Sequence, residues 1–354
     1  MILLRDKRWR LLFALSGSAI LVAACGAPSA GSATAESQHF VWSMQVASPD
    51  SPTGGGTQLS FLAKQIKKLT QGAVTLNIYF SSGLQLDNTQ IAQLAGRKVV
   101  DAIFTPSAGS AIPEVDEVSL PGVVPAPGNG SSMETFRKKV MGELGPTYTK
   151  LFEGANLVYL AGFIGSPYDV LSRKTSRTLT DLEGQKLVTV GALNAGLISS
   201  FHATPVTNLT QADWYTSLQT GVINGVFTNA STLYANKVYE LAKSLLELNV
   251  AGAGIYLAVN KSDWTALGKN LQKDVSAAVS QFAAQYWNFQ YKAFDSDIAL
   301  MQQQGVSVNS LSASDQSEVN AASSTIVANY EASATSEEIS MLAKIRAAVK
   351  RYGQ

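Results

Sequence analysis

The chain reads as an α/β protein of two lobes with long C-terminal helices, and three observations point there. Short apolar runs with strand-like alternation are separated by segments of helical periodicity, the pattern of βαβ units. A length of 354 residues fits about two domains of ~150 residues each. A hydrophobic content of 46% with a formal net charge of +1 describes a folded chain with ample core and excludes a disordered one.

The amino terminus is an address rather than part of the fold. Arg5, Lys7, Arg8 and Arg10 precede an apolar run, Leu11–Ala24, softened by Ser16, Gly17 and Ser18. These are the charged and hydrophobic regions of a secretory signal peptide over residues 1–24, and about 14 apolar residues are too few to span a ~30 Å hydrocarbon core. The run ends Val22-Ala23-Ala24-Cys25, which resembles a bacterial lipobox, with small residues that admit the peptidase and a thiol that takes a diacylglycerol. Ordinary cleavage beside an incidental cysteine is the alternative. Because Cys25 is the one cysteine in the chain, lipidation is expected on it and no internal disulfide exists. Residues 25–38 are small, polar and aperiodic, a flexible tether. The expected product is an exported, membrane-anchored lipoprotein on the periplasmic or cell-surface side.

The body follows in two sets of elements. Alternation over His39–Val46 predicts a strand, and the Gly54-Gly55-Gly56 turn leads to a helix marked by Leu59, Leu62, Ile66 and Leu69. Val74–Phe80 is a second strand, Thr89–Ala95 a short helix and Val99–Thr105 a buried strand. Prolines at 121, 125 and 127 break the chain before a helix over 132–152. Leu157–Phe163 and Tyr168–Ser172 read as strands, then Lys186–Val190 after the Asp181-Leu182-Glu183-Gly184 turn. Helices over Ala192–His202 and Ala212–Thr220, a strand over Val222–Phe227 and a helix over 230–243 follow. Gly254–Asn260 returns to the first lobe, and 262–304 and 312–351 read as long outer helices. The expected division is lobe I over 39–165, completed by about 251–354, and lobe II over 166–250. Two lobes with several crossings form a cleft, the usual seat of a small ligand.

The chemistry that is absent narrows the function. There is no phosphate-binding Gly-x-x-x-x-Gly-Lys, no Gly-x-Gly-x-x-Gly and no Gly-x-Ser-x-Gly elbow. Two histidines, His39 and His202, are too few for a metal site and offer no credible triad, so neither a metal nor a cofactor is expected. The acidic trio Glu114, Asp116 and Glu117 lies in a proline-flanked loop and reads as solvated charge rather than a cation site. Residues 1–24 hold four of the 27 basic residues and one of the 26 acidic ones, so the rest is slightly acidic with no basic run. Nucleic acid is excluded as a partner. The chain is expected to bind without reacting.

Three stretches carry a resemblance to a known family. The first is Ser51-Pro52-Thr53-Gly54-Gly55 with Leu69-Thr70-Gln71-Gly72-Ala73-Val74, and the second is Gln93–Ala102 with its Val100-Asp101 strand start. The third is Asp181-Leu182-Glu183-Gly184-Gln185-Lys186-Leu187, followed by Trp214-Tyr215-Thr216-Ser217-Leu218-Gln219-Thr220-Gly221-Val222. In order and spacing these resemble the extracytoplasmic solute receptors of tripartite ATP-independent periplasmic (TRAP) transporters, the DctP family, over about 40–306. The resemblance implies a two-lobed periplasmic-binding-protein-like fold with mixed sheets. It also implies a small organic solute as ligand and a two-part membrane permease, driven by an ion gradient, as partner. A receptor of the same fold serving a sensor is the alternative.

By matching positions, the resemblance places Trp42, Phe104, Thr105, Val188, Gln211, Thr228 and Asn229 at the ligand. One departure stands out: where the family has a carboxylate-gripping arginine, this chain has Val188. Without that fork, a carboxylate ligand needs another cation, and Arg173 and Lys174 are the candidates. An uncharged or weakly polar solute held by Gln211, Thr228 and Asn229 fits the sequence better.

Overall fold

A computed structural model of the chain describes residues 38–51, 55–126, 130–250 and 252–353. Cys25 and the signal segment lie outside the described residues, as does all of the tether but Gln38.

β1 (Phe40–Gln45) buries Trp42 and Met44 on one face and leads to α1 (Gly56–Leu69), whose Leu59, Leu62 and Ile66 face the core. β2 (Val74–Tyr79), α2 (Ile91–Gly96) and β3 (Ala102–Thr105) complete the first βαβ units. β3 starts three residues later than the sequence suggests, because Lys98 takes a left-handed conformation (φ 62°) and leaves Val99 exposed in a turn. α3 (Gly130–Gly154) and β4 (Leu157–Ile164) follow. The second set comprises β5 (Tyr168–Ser172), β6 (Lys186–Val188), α4 (Ala192–Ser200), β7 (Thr204–Val206), α5 (Gln211–Thr220) and β8 (Gly225–Asn229). Gly221 (φ 77°) closes α5 and leaves Val222 exposed, which delays β8 to Gly225. α6 (Ala230–Ala235) stops where Lys237 turns left-handed (φ 55°), so the helix expected to run to 243 is broken. β9 (Ser244–Val250) and β7 are strands the sequence reading missed. β10 (Gly254–Asn260), α7 (Lys261–Ala266), α8 (Gly268–Gln303), β11 (Ser307–Ser310), α9 (Ala313–Ser333) and α10 (Ser336–Tyr352) end the chain.

The strands form two sheets, β2-β1-β3-β10-β4 and β11-β9-β5-β8-β6-β7. β10 returns to the first sheet and pairs antiparallel with both β3 and β4. β11 pairs parallel with β9 in the second sheet. That corrects the expectation that everything after 251 completes the first lobe, as does Val319 of α9, which packs into the second sheet's core with Val170, Leu187 and Phe227. α8, with 36 residues, is about 54 Å long and packs on α1, α3 and α6.

The acidic loop also departs from expectation. Pro113–Ser119 forms a 3-10 segment against α10, and Glu117 is wholly buried rather than solvated. Its Oε1 accepts a 2.8 Å hydrogen bond from the Tyr330 hydroxyl of α9. Burial pushes the Glu117 carboxyl up to about 8 and the Asp116 carboxyl up to about 6. A carboxyl whose pKa is raised on folding binds its proton more tightly in the native state. Its contribution is therefore full below about pH 4 and shrinks as pH rises towards 8. The melting temperature is expected to fall between pH 5 and 8, and Glu117→Gln should flatten that slope by about 1–2 kcal/mol. Thermal melts of both proteins across that range are the check, and parallel slopes would refute it.

Candidate functional site between the lobes

The registers define which strand ends face one another. In the first sheet Thr105 lies opposite Tyr256, and Gly254 opposite Ile164. Thus the carboxyl ends of β1, β2 and β3 lie at the edge where β4 leaves and β10 enters. In the second sheet Tyr168 lies opposite both Asn229 and Val250, and Val188 opposite Val226. The carboxyl ends of β6 and β8 therefore lie at the edge where β5 enters and β9 leaves. The short connections from Ile164 to Tyr168 and from Val250 to Gly254 join these two edges, so the strand ends of one sheet look toward those of the other. α8 is the third crossing.

The crossings are firmly held. Gly165 N donates to Ala253 O at 2.8 Å, and the Tyr291 hydroxyl donates to Ile164 O at 2.7 Å. Arg137, fully buried, donates to Gly165 O, to Pro125 O at 3.4 Å and to Val124 O at 3.5 Å.

On the lobe I edge, Thr105 is buried and its hydroxyl accepts from Ser107 N at 3.0 Å. Phe104 points the other way, edge-on to Tyr286 of α8 with ring centroids 5.1 Å apart, and also packs against Phe282 and Phe163. Trp42 is 3% exposed and sits three residues before the end of β1, paired with Leu76. It is a core residue, away from the gap. The residue at the edge is Gln45, which the sequence reading missed. Its Oε1 accepts from Leu84 N and Leu86 N at 3.0 and 3.2 Å, and its Nε2 donates to Asn88 Oδ1 at 2.8 Å. One buried amide thus shapes the loop after β2.

On the lobe II edge, Val188 is buried and adds only apolar surface. Thr228 is buried beside Asp169 in the β5–β8 ladder. Asn229 caps α6, accepting from Thr232 N at 2.9 Å, and Gln211 Oε1 accepts from Asn236 Nδ2 at 3.3 Å. Lys174 is a correction. β5 runs away from the crossings, so Lys174 and Arg173 come after its far end, opposite the gap, and Arg173 is engaged with Leu218 O at 2.8 Å. Asp169 carries no mark in the sequence that singles it out. It is wholly buried one residue into β5, its Oδ1 accepts from Asn249 N at 3.1 Å across a bulge in β9, and its Oδ2 has no well-formed hydrogen bond. Burial pushes its carboxyl up to about 7.

Where α1 meets α8, an open depression of about 500 Å³ is lined by Gln58, Phe289, Lys292, Ser296 and Asp297 among others. Among the described residues no three His, Cys, Asp or Glu side chains come together as a metal site. No helix among them is long and apolar enough to cross a membrane.

Two sheets whose strand ends face each other across three crossings form a two-lobed architecture with room for a small ligand between them. Comparison with known proteins narrows this. The chain belongs to the bacterial extracellular solute-binding protein family 7 (DctP), whose model matches residues 43–333. It is similar to the C4-dicarboxylate-binding periplasmic protein DctP of Rhodobacter capsulatus, 25% identical over 277 residues that cover 77% of this chain and 78% of that one. Its fold matches the Bordetella pertussis receptor DctP7, which binds pyroglutamic acid, with a TM-score of 0.78 at 18% identity over 87% of this chain and 99% of that one. A receptor from Ralstonia eutropha with bound (S)-2-acetolactate matches with a TM-score of 0.78 at 20% identity, covering 88% and 99%. The protein is thus an extracytoplasmic solute receptor of the TRAP type and not an enzyme.

Proposed function

We propose that the protein captures a small organic solute between its lobes and passes it to a two-part, ion-gradient-driven TRAP permease while held at the membrane by a lipid on Cys25. The facing strand ends of the two sheets carry the reading. Thr105 and the Gln45-ordered loop lie at the strand ends of one sheet, and Val188, Thr228 and Tyr168 at those of the other, which supports a site between them. A solute bound to both sides draws the lobes together, because its contacts are complete only in the closed form.

The test is a thermal-shift screen for a ligand followed by small-angle scattering. At 100 times its dissociation constant a ligand stabilises by about 2.7 kcal/mol, an easily read shift. The radius of gyration is expected to fall on binding. A confirmed ligand that leaves the scattering unchanged would rule out capture by closure.

The anchor is tested separately. Cys25→Ser should move the protein from the membrane fraction to the soluble one and leave its melting temperature unaltered. Retention in the membrane fraction after processing would refute lipid anchoring.

A further inference from the structure

Charge is distributed unevenly around the gap. The segments that leave the gap-side ends of β1, β2, β3, β6, β7 and β8 are 46–51, 80–90, 106–112, 189–191, 207–210 and 230–236, and none contains a lysine or arginine. The crossings 165–167 and 251–253 contain none either. The same segments hold Asp50 and Asp87, and Asp169 lies buried two residues beyond the crossing. Two cations are nearby. Arg137 lies under the crossings with its guanidinium donating to backbone carbonyls, and Lys292 lies on α8 in a depression it shares with Asp297.

Helix amino termini do not replace the missing cations. Asn229 Oδ1 accepts the Thr232 N–H of α6, and Thr210 with Asp213 forms a capping box on α5. α1 and α4 begin at this edge without a side-chain cap. Their N–H groups suit a carbonyl or hydroxyl oxygen, while a helix dipole alone is a weak substitute for a cation facing a full charge. A carboxylate taken from water into such a gap loses its hydration without a cation to replace it. Apolar surface, by contrast, is on offer: Tyr79 at the end of β2 and Val190 just past β6 stay exposed at this edge, beside buried Val188.

Resting on the receptor reading above, we infer that the gap between the lobes is built for an uncharged solute with an apolar portion, oriented by hydroxyl, amide and backbone groups, and that it discriminates against carboxylates. The structural neighbours bind acids, so the selectivity of this chain would differ from theirs in sign of charge preference rather than in fold.

The experiment is isothermal titration of the wild-type protein with matched sets of compounds, each as carboxylate, primary amide or ester, and amine, drawn from the scaffolds that score in the thermal-shift screen. The neutral member is expected to bind at least 100-fold tighter than its carboxylate. A carboxylate or an ammonium compound that binds tighter than its neutral counterpart overturns the inference. If that compound also closes the lobes in scattering, the receptor reading stands and only the charge preference falls. If no compound of any charge binds, both fall together. Val188→Arg should raise carboxylate affinity tenfold or more. Because Val188 is buried, Val190→Arg on the exposed neighbouring position serves as a second variant with the same expected direction. No gain in carboxylate affinity from either folded variant counts against an uncharged site.

Discussion

Replacing Arg137 with leucine is expected to lower the unfolding free energy by about 3 kcal/mol and to weaken solute binding as well. The guanidinium is wholly buried and donates to Gly165 O in one crossing and to Pro125 O and Val124 O in the loop before α3. Removing it strands carbonyls that no water reaches without rearrangement, at about 1–3 kcal/mol for each group left unsatisfied. Leucine recovers some apolar burial, so the sum stays near the lower end. Arg137→Lys should fall between, since an ammonium keeps the charge but cannot span several carbonyls with a planar fork. Denaturant melts give the stability term. A leucine variant within 0.5 kcal/mol of wild type would show that the arginine does not hold the crossing. Binding should weaken because Gly165 is one of the residues about which the lobes must rotate, and a crossing that samples many angles spends less time in the closed geometry.

The behaviour of Arg137 illustrates what was and was not legible in the sequence. Arg137 sits in a helix next to two exposed lysines, Lys138 and Lys139, so nothing local distinguishes it. The carbonyls it holds in the crossing and in the loop before α3 are 12 to 28 residues away, and backbone atoms carry no sequence signal. Gln45 escaped notice for the same reason, as its partners lie in a loop about 40 residues on. The alternation that marked β1 and β2, and the turn motif before β6, were by contrast local and could be read directly. The broader fold followed from motif order, because Gly184 and Gly221 occupy left-handed positions (φ 70° and 77°) that suit glycine.

Lys174 shows a different limit. A basic residue at a strand end reads equally well as lining a gap or facing away from it. The choice depends on strand direction in the sheet, which is fixed by the antiparallel pairing of β5 with β8 and β9 rather than by anything near residue 174. Placing Trp42 along its strand needs register. Period-two alternation shows that it shares a face with Met44, but not how far along the sheet it lies. β9, Ser-Leu-Leu-Glu-Leu-Asn-Val, went unassigned because its leucines and glutamate favour helix locally, and burial between β5 and β11 overrides that preference.

Gly252→Ala is expected to destabilise the protein by about 3 kcal/mol and to change the angle between the lobes. Gly252 has φ 145°, outside the range that residues with a side chain adopt readily, at a cost of ~1–3 kcal/mol. A Cβ there would lie 2.5 Å from Gly165 O and 2.8 Å from Arg137 Nη1. Neither neighbour yields cheaply, since Gly165 is tied to Ala253 O across the crossings and Arg137 is packed on every side. The crossing itself must move, and with it the relation of β9 and β10 to their sheets. Gly268→Ala is the control: it too is left-handed (φ 71°), but nothing lies within 4 Å of its added carbon, so it carries the conformational cost alone, about 1 kcal/mol. Melts of the two variants separate strain from collision, and scattering of the unliganded proteins reads the lobe angle. If Gly252→Ala costs no more than Gly268→Ala and leaves the radius of gyration unchanged, the second crossing tolerates a side chain. The close approach of glycine 252 to glycine 165 is then not what sets the path of the hinge.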